Sequence, residues 1–275
     1  KKGRNLRSVN TDGGVNLQFK LLSAIGIIII VSGHCYHGGM ELAYNWFPPY
    51  SYNLALFVFI SGYFYKTDYE ENVGKYIWKR TKRLLIPAYL WNIFYGGMVA
   101  FLGLFGFTIG AKPDLYNLFV MPFVDGEAFQ YNLGSWFVYP LFLVCIINVL
   151  FRKFLKLIHL DNEFIVLIVY LAIGMIGINT AIGNPTAING IVKLLVRTMF
   201  FLPCYEFGRF YKAVLEKKDT LNNVAYFAII FAVQLILLTF CKDLEYTPSS
   251  FTKFNNGFII PYISSITAIA FWLRV

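Results

Sequence analysis

The sequence predicts an all-α polytopic membrane protein, and three observations carry that prediction. Of 275 residues, 57% are hydrophobic and 14% charged, with a mean hydropathy of +0.57, more apolar surface than a water-soluble domain can hide. The apolar residues fall into eight runs near the length that a bilayer span requires, about 20 residues. The basic residues fall between those runs rather than in one patch, which is how membrane topology is encoded.

The first run is Leu17 to His37. A polar stretch of roughly sixteen residues precedes it, so no cleavable signal is evident; the run reads as a retained span and the N-terminus as cytosolic. Tyr50 to Tyr65 and Ser135 to Phe151 are short runs, read as spans two and four, and Leu84 to Ile109 lies between them. Phe164 to Thr180, Gly190 to Tyr211, Leu221 to Cys241 and Gly257 to Leu273 complete about eight transmembrane helices in a single domain, 1–275. The connection Gly110 to Gly134 contains its own apolar piece, Leu118 to Val124, and is expected to fold back.

Numbering the connections from a cytosolic N-terminus puts nineteen of the 24 basic residues on the inside. Lys112, Lys242 and Lys253 fall outside, and Lys193 and Arg197 lie within the sixth run. The reversed topology would not explain that asymmetry. The net charge of +9 is therefore no sign of a nucleic-acid partner; the lipid bilayer is the predicted partner. Cys35, Cys145, Cys204 and Cys241 are far apart and form neither a metal motif nor a disulfide framework, so no metal is expected. Oligomeric state is not encoded in any of these features.

Several residues are candidates for chemistry. His34 and His37 stand at i and i+3 before the glycine pair Gly38-Gly39, on one face of the first span. An ionisable group within an apolar run normally faces a protein interior or wet cavity; the alternatives are a satisfied core histidine or an interfacial anchor. Ser61-Gly62 sits among large aromatics and permits close approach of a backbone or ligand. Lys79, Arg80 and Arg83 end the run Lys75 to Arg83, with the two arginines at i and i+3, suited either to phosphate or to anionic lipid. Arg197 shares a face with Lys193 and reads as cavity-facing, a holder of substrate or oxyanion or a structural partner of Glu206, although nine residues of spacing put Glu206 on the opposite face. An acid that orients His34 must come from an outside loop, with Glu41, Asp114, Asp125 and Glu127 available.

Leu21-Leu22-Ser23-Ala24-Ile25-Gly26 leading to Ser32-Gly33-His34, then Phe59-Ile60-Ser61-Gly62-Tyr63, then Lys79 to Pro87, resembles acyltransferase family 3 of membrane proteins. Gly134-Ser135-Trp136-Phe137 is similar to that family's tryptophan-containing start of a span. The resemblance implies a membrane O-acyltransferase using cytosolic acetyl-CoA or another acyl-CoA as donor, with no permanently bound cofactor. A hydroxyl of an envelope polysaccharide or other carbohydrate would be the acceptor, at a bacterial plasma membrane. His34 then corresponds to the essential histidine, whose ordinary pKa near 6.5 suits a general base. Arg80 and Arg83 correspond to the paired arginines near the acyl donor, with Lys79 beside them. Arg197, Ser61, Trp136 and His37 are candidates for contact with substrate or oxyanion. The family usually has arginine where this chain has Ser23, and Lys20, one turn earlier, is the candidate replacement. The family's usual ten spans imply a ten-helix fold of which these eight are part, so a continuation beyond Val275 is expected. Rival readings are a membrane transporter with His34 and Arg197 on the substrate path, and the transmembrane domain of a cell-wall precursor enzyme.

Overall fold

The computed structural model describes residues 10–11, 15–35, 46–107, 110–183, 188–251 and 253–275. Apart from a two-residue β-ribbon, Asn10–Thr11 (β1) paired antiparallel with Val15–Asn16 (β2), the described regular structure is helical. The helices are α1 Leu17–Cys35, α2 Asn53–Tyr63, α3 Val73–Arg80, α4 Ile86–Gly103 and α5 Met121–Val124. There follow α6 Val138–Leu157, α7 Glu163–Gly183, α8 Gly190–Phe210, α9 Asn223–Phe240 and α10 Ile260–Arg274.

Helices occupy all eight predicted runs, but among the described residues five helical stretches are long and apolar enough to cross a membrane: 17–35, 73–103, 130–157, 163–183 and 223–240. The eight-span expectation is thus supported only in part. In the second run α2 has 11 residues, because Pro48 and Pro49 confine the preceding chain to a 3-10 turn. α8 is long enough but carries Lys193, Arg197, Glu206 and Arg209 along its length, and α10 has 15 residues.

The sequence starts these helices by recognisable devices. Asn16 Oδ1 accepts from Phe19 N at the start of α1, and Asn222 Oδ1 accepts from Ala225 N at 2.8 Å at the start of α9. Pro87 and Pro261 stand in the first turns of α4 and α10, where no backbone donor is missed.

α8 is the hub. It is buried along most of its length and packs chiefly on α7 and α2, then α6. α7 turns the stripe Tyr170, Gly174, Gly177, Ile178 and Ala181 inward, and its small residues bring Pro203 and Met199 of α8 close. α2 approaches closer still. A Cβ on Gly62 would fall 1.8 Å from the Tyr205 carbonyl oxygen, and one on Gly208 would fall 1.9 Å from that of Phe59. The two helices cross through a reciprocal pair of glycines, each opposite the other helix's backbone. α1, α4 and α9 lie outside this core and keep apolar side chains such as Ile27, Trp91, Phe94 and Leu235 exposed, the signature of lipid-facing helices.

Side-chain contacts sort the bundle into two ends. Phe19 of α1 stacks on Tyr63 of α2 at 4.1 Å, and Tyr63 lies beside Tyr211 after α8, so these termini share one end with α3 and the α6–α7 turn. Arg274 pairs with Asp219 there. The opposite end gathers Tyr50, whose hydroxyl donates to Gly33 O at 3.1 Å, together with Trp46, whose carbonyl accepts from Gln234, and the segments 110–137 and 241–259. The first end is the basic one, matching the alternation in the sequence. In the connection Gly110 to Gly134, Asn92 Nδ2 of α4 donates to Leu118 O at 2.7 Å, which draws the 116–124 segment onto α4 and α8.

Candidate active site

His34 lies in the last turn of α1, at the end of the bundle away from the basic one, and is exposed. The turn is fixed by its neighbours: Ser32 Oγ donates to Ile29 O at 2.9 Å, and the Tyr50 ring covers Gly33 so closely that a Cβ there would meet the hydroxyl at 2.6 Å. Tyr50 thereby holds the backbone beside His34. His37 and Glu41 lie outside the described residues. Of the other acids considered for orienting His34, Asp125 accepts from Tyr116 at 2.8 Å, Asp114 caps the backbone N–H of Asn117 at 2.8 Å, and Glu127 pairs with Lys193. All three are engaged within their own loop or with α8.

At the basic end the paired arginines part company. A π turn, Thr81–Leu85, joins α3 to α4. Its wider ring spoils the i, i+3 alignment that a continuous α-helix would give. Arg80 is half-buried and turns inward, its guanidinium 5.1 Å from the Tyr76 ring centroid, whereas Arg83 is exposed. Tyr76 and Tyr205 bring their hydroxyls within 3.3 Å beside the buried thiol of Cys145, and Arg80 Nε is buried there without a hydrogen-bond partner among the described residues. Lys79 points away and donates to the Tyr69 hydroxyl at 3.3 Å. Lys20 is exposed, and Ser23, in place of an arginine, satisfies its hydroxyl on Phe19 O at 2.8 Å.

Arg197 is 2% exposed. Its guanidinium lies 4.6 Å from the Trp136 ring centroid and donates to the carbonyls of Gly126 and Ser249, one in each outer segment. It therefore fastens two loops to α8, with the Lys193–Glu127 pair beside it. Ser61 is half-buried next to the α2–α8 crossing.

Glu206 does have an arginine partner, but it is Arg152. Arg152 Nη2 donates to both Glu206 oxygens at 2.8 and 2.7 Å and to Glu163 Oε2 at 2.7 Å, and Nη1 stands 3.6 Å from Asp161. Arg209 binds Glu163 Oε1 at 2.8 Å from the other side. The apolar run stops at Phe151, which by sequence alone places Arg152 in a basic connection, but α6 continues to Leu157. The signal was there in Asn148 and Arg152, four apart, with Asn148 Oδ1 accepting from Arg152 Nε at 3.3 Å.

Glu70, between α2 and α3, borders this network and accepts from the Tyr65 hydroxyl at 3.3 Å. Burial pushes its carboxyl above the ordinary value near 4.5, with Asp161 adding to the shift against the pull of Arg209. The folded state then holds this proton more tightly than the unfolded chain, so Glu70 costs stability as pH rises from about 4.5 through its folded pKa. The Glu70→Gln protein in detergent is expected to lose less of its melting temperature than wild type between pH 4.5 and 7.5. Parallel pH profiles for the two proteins would refute the burial effect.

Residues 16–275 match a family model of the acyltransferase 3 type, described as an acyltransferase domain. The chain belongs to acyltransferase family 3. Its five long apolar helices agree with the family's membrane character. No curated protein and no solved structure gives a match. The described residues place the exposed His34 at one end of α1 and the inward guanidinium of Arg80, with an unpartnered Nε, at the other end of the bundle.

Proposed function

We propose that this protein is a multi-pass O-acyltransferase of a bacterial plasma membrane, moving an acetyl or other acyl group from cytosolic acyl-CoA to a hydroxyl of an envelope glycan or similar acceptor. The observation that carries the reading is Arg80: a cation turned into the bundle at the basic end, steadied on Tyr76 and with a donor free, in a chain of this family. A guanidinium so placed suits a phosphate of coenzyme A, with the exposed Arg83 meeting the donor nearer solvent.

His34 serves as general base. Its neutral imidazole takes the proton of the acceptor hydroxyl, the oxygen attacks the thioester carbonyl, a C–O bond forms and the C–S bond breaks, and the imidazolium returns a proton to the departing thiolate. α1 has 19 residues, about 28 Å of helix, close to the thickness of the hydrocarbon core. The acyl arm must therefore be threaded from the arginines toward the far end of α1. Arg197 contributes by holding the outer segments around Trp136, which frames the acceptor side; the tetrahedral oxyanion falls to backbone N–H groups.

The test is acyl transfer from radiolabelled acetyl-CoA into envelope material by membranes at matched expression. His34→Ala is expected to lower the rate about 10²- to 10⁴-fold, the usual contribution of a positioned base. Arg80→Ala/Arg83→Ala is expected to raise the donor concentration needed for half-maximal rate. Wild-type membranes that transfer no label, or full activity without His34, would overturn the reading and favour transport.

A further inference from the structure

The basic run ahead of α4 has two faces, and only one enters the bundle. Tyr76 and Arg80 face inward onto Tyr205. Lys75, Trp78 and Lys79 lie around the other side of α3, with Lys82 following in the π turn, and all four are exposed. Their arrangement is ordered by aromatic rings: Lys82 Nζ stands 5.1 Å from the Trp78 ring centroid, and Lys79 Nζ stands 5.2 Å from that of Tyr69. Three acids at this end are turned elsewhere, Glu163 and Glu206 onto Arg152 and Glu70 onto Tyr65 and Lys156, while the exposed Asp68 and Glu71 lie ahead of α3 at the end of the face away from Lys82.

The height of the face is also telling. α3 runs through the π turn into α4, whose exposed Leu90, Trp91, Ile93 and Phe94 mark a lipid-facing surface beginning near Ile86. Lys82 precedes Ile86 by four residues, about 6 Å along a helix, which is the depth of the headgroup layer beside the hydrocarbon core. Trp78 is 56% exposed, a costly position in water and a favoured one at a membrane interface.

We propose that the outward face of α3 binds the headgroups of anionic phospholipids, with phosphate lying among Lys75, Lys79 and Lys82 and the Trp78 ring at the interface. Lysine suits this task because its charge needs no fixed bidentate geometry and membrane phosphates are mobile. The proposal assigns Lys79 to the bilayer rather than to the acyl donor, and it is independent of the acyl-transfer reading.

The experiment uses the full chain purified in a mild nonionic detergent, with melting followed during titration by phosphatidylglycerol or by phosphatidylcholine, and separately by coenzyme A. Phosphatidylglycerol is expected to raise the wild-type midpoint more than phosphatidylcholine, with the difference shrinking at high salt. Lys75→Gln/Lys79→Gln/Lys82→Gln is expected to lose about half or more of that difference. Arg80→Gln is expected to keep it. Equal response of wild type to the two lipids, or an unchanged phosphatidylglycerol response in the triple variant, would overturn the proposal. So would a triple variant that loses its response to coenzyme A while keeping its response to phosphatidylglycerol, which would place the lysines at the donor.

Discussion

Gly62→Ala and Gly208→Ala are each expected to destabilise the protein by about 3 kcal/mol or more, at or above the upper end of what overpacking a core usually costs. The reason is geometric. The new methyl of Gly62→Ala would lie 1.8 Å from Tyr205 O and 2.8 Å from Tyr205 C; that of Gly208→Ala would lie 1.9 Å from Phe59 O and 2.8 Å from Tyr63 N. A comfortable carbon–oxygen contact is about 3.3–3.6 Å, so the helices must separate by roughly 1.5 Å. The obstructing atoms are backbone and cannot turn aside as a side chain would. α8 is also held by α7 and α6, so displacement there propagates through the core. Gly97 of α4 is the control, because a Cβ there meets nothing within 4 Å. Gly97→Ala is expected to be neutral or slightly stabilising, since alanine is the better helix former. Denaturant titration of the three variants in detergent measures the contrast, and a Gly62→Ala protein as stable as Gly97→Ala would show that α2 and α8 do not cross in this way.

That crossing illustrates what the sequence made legible. Ser61-Gly62 among aromatics signalled close approach, but a small residue does not name its partner; Gly208, 146 positions later, lies in an ordinary-looking stretch. Helix locations followed from apolar runs, since both depend on the same apolar side chains, and the two ends of the bundle followed from the basic connections. Helix lengths did not. The hydropathy of Leu17 to His37 says where lipid can lie, whereas the start of α1 is fixed by the Asn16 cap, and α3 continues into α4 through polar residues that a hydropathy criterion discards.

The candidate site is named in the sequence by residue type, and the direction of its side chains is not. His34 and Arg80 stand at the two ends where the motifs placed them, but one-dimensional spacing cannot anticipate a π turn, and so Arg80 and Arg83 diverge. Arg197, which reads from the sequence as cavity-facing, is 2% exposed in α8. Its partners proved to be the carbonyls of Gly126 and Ser249, and backbone acceptors carry no sequence signature. Asp125 and Glu127 lie in the outer segment, where Tyr116 and Lys193 engage them, and spacing along the chain does not specify such pairings.

Arg152→Leu is expected to be among the most damaging single substitutions, costing about 3–5 kcal/mol, the usual penalty for leaving a buried charge without its partner. The Arg152 side chain has no exposed surface, nor does that of Glu206, and one guanidinium serves carboxylates from the α6–α7 turn, the start of α7 and the end of α8. Removing it strands Glu206 most severely, because Glu163 keeps Arg209 at 2.8 Å and Asp161 is partly exposed. Glu206→Gln is expected to do less harm, since the amide oxygen still accepts from Arg152 and Arg152 retains Glu163. The double substitution Arg152→Leu/Glu206→Leu separates the worth of the pair from the cost of breaking it: two apolar groups in a dry site leave no stranded charge, and recovery of most of the lost stability is expected. Denaturant titration of the three proteins in one detergent decides the matter. A mild effect of Arg152→Leu would mean that water reaches Glu206 or that its carboxyl takes up a proton, while a double variant no better than Arg152→Leu would mean that the network's value lies in joining α6, α7 and α8 rather than in cancelling charge.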